Sequence, residues 1–540
     1  MSQAGFMSTA TNPSGERTLL GHPAGLFLLF FVEMWERFSY YGMRGILVLY
    51  LTSPTGGMRN PPKGAPEGFN PGPGWDDTVS NTAYGWYTGL AYLTPILGGM
   101  IADKFIGTHR SMIVGGLLIA LGHLALGVSG MDAVAHSAYA MSVFVFGLAL
   151  VVIGTGHFKP SVSVMVGQLY KHGDPRRETA FGIFYMGINL GSALQVYIVG
   201  TLGERMGWHW GFGAAAVGMM LGLALYMLYR PMLLAGIGLA SDAHLASIAP
   251  KLLPAGIGLA GLTAAAFHMG WLGAVDEFFS NIYVVSMLLT AALIWAVWFT
   301  IRQRPEDRGP VVSIFVFMLF NAVFWLSFEQ AGSSLNIFTD RNTDRMLGEF
   351  LVPTTWFQSI NPWLIIAFAP LTGVMWTWLS RRNRNPGQPY KIGFGLVMVG
   401  LGYLFMVAAA LQNTDDAHKA HMIFIFGTYF VHTMGEIILS PTGLSFVTKA
   451  APKESTSLLM GVWFLSSFIA NLGAGKVAAA VEPILKGEKH LPWHFAGGGP
   501  DAPNTYADFF FLFTVTSCGA GLIIFALGPW LVRLTGGRDK

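Results

Sequence analysis

Four charged side chains lie within twelve residues of one long apolar segment near the start of the chain. They are Glu33, Glu36, Arg37 and Arg44. Because an α-helix repeats every 3.6 residues, the spacing places Glu33, Arg37 and Arg44 on one helical face, with Glu36 beside it. A carboxylate that loses a basic partner takes up a proton more readily. The segment therefore has the residues to bind and release protons.

Three other apolar segments contain Lys159, Glu329 and Glu436. Lys159 precedes Pro160, which lacks a backbone N–H and opens the helix backbone toward a cavity. A charge in the middle of a membrane costs about 2.5–3.5 kcal/mol and by default indicates a functional site. The near balance of acidic and basic residues favours pairing in a cavity over a pore for ions of one sign. The structural alternative is that these pairs only hold helices together.

The composition of the 540-residue chain excludes several classes of protein. It is 53% hydrophobic and 11% charged, whereas soluble proteins carry about 25% charged residues, and the mean hydropathy is +0.50. So few charges cannot cover a water-facing surface, which excludes an ordinary soluble enzyme and a disordered protein. The formal net charge of +3 leaves no basic face for phosphates, so we expect no nucleic-acid partner.

Cysteine usage and short motifs argue against a metal or cofactor site. Cys518 is the only cysteine, so neither an internal disulfide nor a cysteine-cluster metal site can form. The chain contains no HExxH, GxSxG or P-loop motif, and we expect no enzyme activity, metal or cofactor. Residues 1–22 lack the features of a cleaved signal peptide, so we expect the first apolar segment to remain as a membrane span.

Fourteen apolar segments are long enough to cross a bilayer as helices, which takes about 20 residues. With the N-terminus inside, most Lys and Arg residues outside the spans fall on the inner side, including the cluster Arg381, Arg382 and Arg384. This bias predicts that both termini are cytoplasmic. The predicted spans are 24–51, 82–102, 111–130, 136–158, 179–201, 209–229, 252–274, 281–301, 311–336, 361–380, 392–412, 421–446, 457–480 and 508–534.

Two similar Gly/Pro motifs, at 154–161 and 435–442, suggest an internal repeat. If the seventh and eighth spans are an insertion, these motifs belong to the fourth and tenth of twelve spans, as two duplicated six-helix halves would place them. The predicted organisation is a cytoplasmic tail at 1–23, an N-terminal six-helix bundle at 24–230, two additional spans with linkers at 231–310, a C-terminal six-helix bundle at 311–535 and a cytoplasmic tail at 536–540.

Four motifs resemble the proton-coupled oligopeptide transporters, the POT/PTR family of the major facilitator superfamily. The most specific is Glu33-x-x-Glu36-Arg37-Phe38-x-Tyr40-Tyr41-Gly42, and the others lie at 184–191, 324–330 and 435–441. The resemblance covers essentially the whole chain, including the extra helix pair typical of bacterial members. It implies an all-α polytopic membrane protein with the major facilitator fold, in which two six-helix bundles and two extra helices between them make 14 transmembrane helices.

The resemblance further implies a secondary active transporter that imports di- and tripeptides by symport with protons and works by alternating access. Its expected partners are peptides, protons and the lipid bilayer of a bacterial inner membrane, and a monomer is expected. The proton gradient drives it, so no cofactor is needed. A short peptide is a zwitterion with varied side chains, and a central site with basic groups, an acid and aromatic walls suits it.

The resemblance also assigns roles to individual residues. Glu33, Glu36, Arg37 and Lys159 would form the proton-coupling cluster, and Arg44 would pair with Glu329 in a gate that responds to protonation. Basic side chains would hold the carboxylate of the peptide. Amide side chains and one acidic side chain would hold its amino end, and aromatic rings would contact its side chains. The residues predicted to bind substrate are Arg37, Arg44, Tyr41, Tyr92, Lys159, Tyr185, Asn189, Trp325, Asn361, Glu436, Ser440, Trp463 and Phe464.

Two alternatives remain open. A fourteen-span drug exporter or an anion importer would share the fold and the proton link, but a drug exporter would tolerate loss of the free peptide ends. An intramembrane enzyme would need a catalytic motif that the sequence lacks. His432 lies one turn before Glu436 and could tune its proton binding, as could His157, although packed or cavity-lining imidazoles are the simpler interpretation.

Overall fold

The computed structural model describes residues 10–11, 17–171, 173–240, 242, 245–413, 418–495 and 502–538. In this part of the chain the apolar segments are long helices. Lipid offers no hydrogen bonds to backbone N–H and C=O groups, and a helix satisfies them within the segment itself. The helices of the first half are α1 (Ala24–Thr52), α2 (Asp77–Ile101), α3 (Gly107–Ser129), α4 (Asp132–Ala135), α5 (Ala140–Gln168), α6 (Arg176–Gln195), α7 (Thr201–Arg205), α8 (Trp208–Leu233) and α9 (Ala249–His268).

The second half continues the same pattern. Its helices are α10 (Trp271–Ser280), α11 (Ile282–Ile301), α12 (Pro305–Phe328), α13 (Ser334–Asn342), α14 (Ile360–Arg381), α15 (Gln388–Gln412), α16 (Ile423–Ala450), α17 (Thr456–Ala479), α18 (Val481–Leu485) and α19 (Tyr506–Leu534). Two π-helical turns and three 3₁₀ turns join or extend them, at Ala102–Ile106, Val196–Gly200, Leu245–Ile248, Glu329–Gly332 and Thr354–Ser359.

The described strands are short and lie before α1 or in the connections between helices. They are β1 (Ala10–Thr11), β2 (Arg17–Leu19), β3 (His22–Pro23), β4 (Thr343–Asp344), β5 (Met346–Leu347), β6 (Phe350–Leu351) and β7 (Ala420–His421). Strands β1, β2 and β3 form an antiparallel sheet before α1, β4 pairs in parallel with β7, and β5 with β6 forms a hairpin.

Each predicted span overlaps one of these long helices, which confirms the all-α polytopic fold. The bounds differ in places: spans 252–274 and 311–336 run past the ends of α9 and α12, and α5 continues to Gln168, beyond the span predicted at 136–158. Among the described residues, eleven helical stretches are long and apolar enough to cross a membrane. One of them, Asp77–Ser129, contains two predicted spans. The two remaining spans are α1, which carries the charged residues, and α16, which is apolar over Ile423–Leu439. Helix formation thus follows the hydropathy of the sequence closely.

The described residues fall into two compact units. Unit 1 comprises Met1–Arg44 and Leu93–Ala265, and unit 2 comprises Gly45–Tyr92 and Ala266–Lys540. The last turns of α1 and most of α2, up to Tyr92, therefore belong to unit 2. The predicted division of the chain at residues 230 and 310 stays a prediction.

Small residues let helix backbones approach closely in unit 1. A Cβ atom on Gly115 of α3 would lie 2.6 Å from the carbonyl oxygen of Gly154 on α5, and one on Gly154 would lie 2.7 Å from that of Gly115. Close approach through small residues is how helices pack in lipid, where burial of apolar surface gives little driving force. The fully buried Phe158 lies one helical turn after Gly154 and packs in the core of this unit.

Unit 2 has a core of large aromatic side chains and a similar glycine contact. Tyr403, Phe509 and Phe510 are completely buried between α15 and α19. A Cβ atom on Gly85 of α2 would lie 2.9 Å from the Cα of Gly475 on α17. The helix pair α2 and α17 therefore packs backbone against backbone, and no larger residue fits at either position without a shift of the helices.

Candidate functional site

Helix α1 carries a buried ion cluster in unit 1. Arg37 Nε lies 3.1 Å from Glu33 Oε1, one helical turn away, and Arg37 also forms an ion pair with Glu36. The side chains of the three residues are at most 4% exposed. The pairing of Glu33 with Arg37 follows from the 3.6-residue period. The pairing with Glu36, which the helical wheel places beside that face, depends on the rotamer that Arg37 adopts.

Lys159 completes this cluster from α5. It stands directly before Pro160, which lies inside the helix, and it interacts electrostatically with both Glu33 and Glu36. Two carboxylates and two basic groups thus balance each other in a buried site. Buried charges are tolerated only when they are paired, so an anionic ligand that binds Arg37 or Lys159 would leave a carboxylate ready to accept a proton.

Two aromatic rings flank the basic side chains of α1. The guanidinium of Arg37 lies 5.3 Å from the ring centre of Tyr40, and that of Arg44 lies 5.8 Å from the ring centre of Tyr41. Cation–π contacts of this kind hold a guanidinium in place while its N–H groups remain directed at other partners. Arg44 is buried. Its predicted ion pair with Glu329 stays a prediction.

Helix α6 places Tyr185 and Asn189 one turn apart. Asn189 is buried, and its Nδ2 donates a hydrogen bond to the backbone carbonyl of Tyr185 at 2.9 Å. Tyr185 is 39% exposed. One N–H of the Asn189 amide is therefore used within its own helix in this structure, and the amide has a second N–H and a carbonyl oxygen with which it could bind a ligand.

Unit 2 contains an acidic site made by three elements. Asn361 Nδ2 on α14 donates to Glu436 Oε2 on α16 at 2.7 Å and lies 3.1 Å from Thr433 Oγ1. Glu329 begins the 3₁₀ turn that follows α12, is buried, and interacts electrostatically with Glu436. Irregular backbone at membrane depth is stable only where it is buried in protein or lines a cavity. Two nearby buried carboxylates suit a cationic ligand.

Four of the predicted aromatic residues lie together around a cavity of about 170 Å³ in unit 2. They are Tyr92, Trp325, Trp463 and Phe464. The cavity is also lined by three polar residues that sequence reasoning missed, Asn321, Ser467 and Asn471. Their spacing is a usable signal, since Asn321 stands four residues before Trp325, and Ser467 and Asn471 follow Trp463 by four and eight residues.

The remaining predicted residues are placed as follows. Ser440 lies in α16, but its side chain falls outside the described residues. The ring of His432 is buried, its Nε2 lies 3.1 Å from the carbonyl oxygen of Val399, and its centre lies 4.7 Å from that of Tyr403. His157 hydrogen-bonds Ser111 at 3.1 Å. Both histidines are thus packed among neighbouring helices with polar partners of their own.

A family profile and related proteins of known activity match most of this chain. The sequence profile of the POT family matches residues 109–492. The chain is 34% identical over 492 residues to a peptide transporter of Yersinia enterocolitica, covering 88% of this chain and 91% of that protein. It is 32% identical over 480 residues to a di-/tripeptide transporter of Lactococcus lactis, covering 87% and 91%.

A solved structure shares the fold over nearly the full length. It is that of a variant of a peptide transporter, POT, in complex with sulfate, with a TM-score of 0.76 and 33% sequence identity. The superposition covers 96% of this chain and 97% of the other.

Proposed function

The chain belongs to the POT family of transporters, and from that premise we propose that it imports di- and tripeptides together with protons. It is a multi-pass membrane protein with the major facilitator fold. Relatives that carry peptides match most of its length, and transport rather than chemical conversion is the activity of the family. We place it in the inner membrane of a bacterium as a monomer, with both termini in the cytoplasm, since the Lys and Arg bias of the loops supports that orientation.

The observation that carries this proposal is the opposite chemistry of the two buried sites. In unit 1 the basic groups Arg37 and Lys159 are suited to a carboxylate. In unit 2 the carboxylate Glu436, held by Asn361, is suited to an ammonium group. A peptide has one of each at its two ends. The aromatic cavity offers apolar surface to side chains of different shapes without selecting a single one.

Proton coupling follows from competition for Arg37. When the peptide carboxylate binds Arg37, Glu33 loses part of its ion pair and accepts a proton, and release of the peptide reverses the exchange. One proton that moves down 100 mV provides about 2.3 kcal/mol, and half a pH unit adds about 0.7 kcal/mol. The sum supports a concentration ratio on the order of one hundred at about 1.4 kcal/mol for each factor of ten.

Uptake of a labelled dipeptide into proteoliposomes with an inward proton gradient tests the proposal. We expect concentrative uptake that an uncoupler abolishes and that unlabelled di- and tripeptides compete. N-acetylated and C-amidated dipeptides should compete poorly, because each lacks one of the two charges that the sites bind. Competition by blocked and free peptides alike would favour the drug-exporter alternative, and no uptake of any short peptide by folded protein would contradict the proposed substrate.

The aromatic cavity predicts a change in peptide preference. Ser467→Leu would fill part of the 170 Å³ cavity, so KM should rise severalfold for dipeptides with an aromatic residue and little for dialanine. The KM values for an aromatic dipeptide and for dialanine are measured from uptake kinetics on the wild type and on the variant, and their ratio is compared. Leu465→Phe, on the exposed side of the same helix, is the control and should leave both values unchanged. An equal loss for both peptides would mean that Ser467 affects the helix rather than the cavity.

A further inference from the structure

Asp276 lies on α10, the short helix between the two extra helices α9 and α11, and binds two other helices of unit 2. The indole Nε1 of Trp86, on α2, donates to Asp276 Oδ1 at 2.6 Å. Lys476 Nζ, on α17, forms an ion pair with the same oxygen. One carboxylate oxygen therefore joins α2 and α17 to the tip of the extra helix pair.

Ring contacts support the same attachment. The rings of Trp86 and Phe279, which is on α10, are edge to face with centres 5.9 Å apart. The ring of Trp75, just before α2, lies 6.2 Å from that of Phe267 at the end of α9. In the membrane-length parts of α9 and α11, in contrast, only 11% and 6% of the residues are buried. The tip of the extra pair is thus a specific point of contact within unit 2.

The contacts of Asp276 with Trp86 and Lys476 lie beside the surface at which α2 packs against α17. Besides the close approach of Gly85 and Gly475, Thr78 Oγ1 donates to the carbonyl of Ala479 at 3.1 Å, and Asn81 Nδ2 lies 3.4 Å from that of Ala478. These residues are in the halves of α2 and α17 that the loop charges place toward the outside. Moving α2 away from α17 must break the contact of Asp276 with Trp86 or with Lys476.

We propose that Asp276 clamps the outer halves of α2 and α17 and thereby sets how often the outer side of the transporter opens. The inference rests on the proposed alternating-access function, which requires the outer helix ends to separate in every cycle. Asp276 and Lys476 are 28% and 31% exposed, so a lost contact is only partly replaced by water. Asp276 is a positioning residue in this role, and the extra helix pair acts as a regulator of opening.

Cysteine labelling tests the clamp without any peptide. In a Cys518→Ser background, Asn81→Cys provides a thiol that α17 covers and that becomes accessible only when α2 moves away. Reconstituted protein is treated from outside with a membrane-impermeant maleimide. Asp276→Asn keeps the shape of the side chain but loses the ion pair, and we expect labelling on the order of tenfold faster, which corresponds to about 1.4 kcal/mol.

Two further variants complete the test. Glu277→Gln changes the exposed neighbouring carboxylate on α10 and should label at the rate of the parent. Trp86→Phe keeps a ring against Phe279 but removes the N–H donor to Asp276. We expect it to accelerate labelling less than Asp276→Asn does. If Asp276→Asn does not fold, the labelling rate of Trp86→Phe tests the proposal instead. Unchanged labelling in folded Asp276→Asn, or equal acceleration by Glu277→Gln, would overturn the proposal. Because no peptide is present, these outcomes are independent of whether dipeptide uptake is found.

Discussion

We expect Glu33→Gln to abolish proton-driven accumulation of dipeptide and to leave exchange of labelled for unlabelled peptide intact. Glutamine keeps the size of the side chain and can still hydrogen-bond Arg37, which lies 3.1 Å from Glu33, but it cannot bind and release a proton. Without the coupled proton, about 2.3 kcal/mol of driving energy per 100 mV is lost. Half a pH unit contributes about 0.7 kcal/mol more, so under these conditions the accumulation ratio should fall on the order of a hundredfold.

Uptake against a gradient and counterflow, measured on the same proteoliposomes, separate coupling from binding. Glu178→Gln, an exposed carboxylate at the start of α6, is the control and should behave as wild type in both assays. Loss of counterflow along with accumulation would show that Glu33 is needed for binding or folding instead. Accumulation at the wild-type level would remove Glu33 from the coupling cluster.

We expect Glu436→Gln to weaken the binding of peptides that have a free amino group and to leave the binding of peptides without one unchanged. The carboxylate lies 2.7 Å from Asn361 Nδ2 and is buried, so it would bind an ammonium group with little competition from water. A hydrogen bond between charged groups contributes about 1.5–3 kcal/mol. We expect the apparent affinity for free dipeptides to fall roughly tenfold to a hundredfold, while the weak inhibition by N-acetylated dipeptides stays the same.

Inhibition constants for a free dipeptide and its N-acetylated form are measured on the wild type and on Glu436→Gln. Their comparison gives the loss of affinity that is specific to the free amino group. Glu306→Gln, an exposed residue in the first turn of α12, controls for a general effect of removing a carboxylate. If both ligands lose affinity equally, Glu436 stabilises the fold around Asn361 and Thr433 and does not bind the amino end.

The sequence by itself determined the helices, the family resemblance and the contacts within a single helix. Hydropathy placed the long helices because lipid enforces internal hydrogen bonding. The period of 3.6 residues placed Glu33 against Arg37, and the resemblance selected Glu436 and the aromatic residues that line the cavity. Each of these features depends on residues that are close in sequence or on a motif that is contiguous.

Tertiary structure alone decided which residues of different helices meet. The partners Asn361 and Glu436 are 75 positions apart, and Trp86 and Asp276 are 190 apart. Asn321 on α12 likewise lines the aromatic cavity together with residues of α17 that are distant in sequence. Such contacts depend on the rotation of each helix about its axis and on the close approach that glycines such as Gly85 and Gly475 permit. Periodicity along one chain reports the face that a residue occupies, but packing between helices determines what that face contacts.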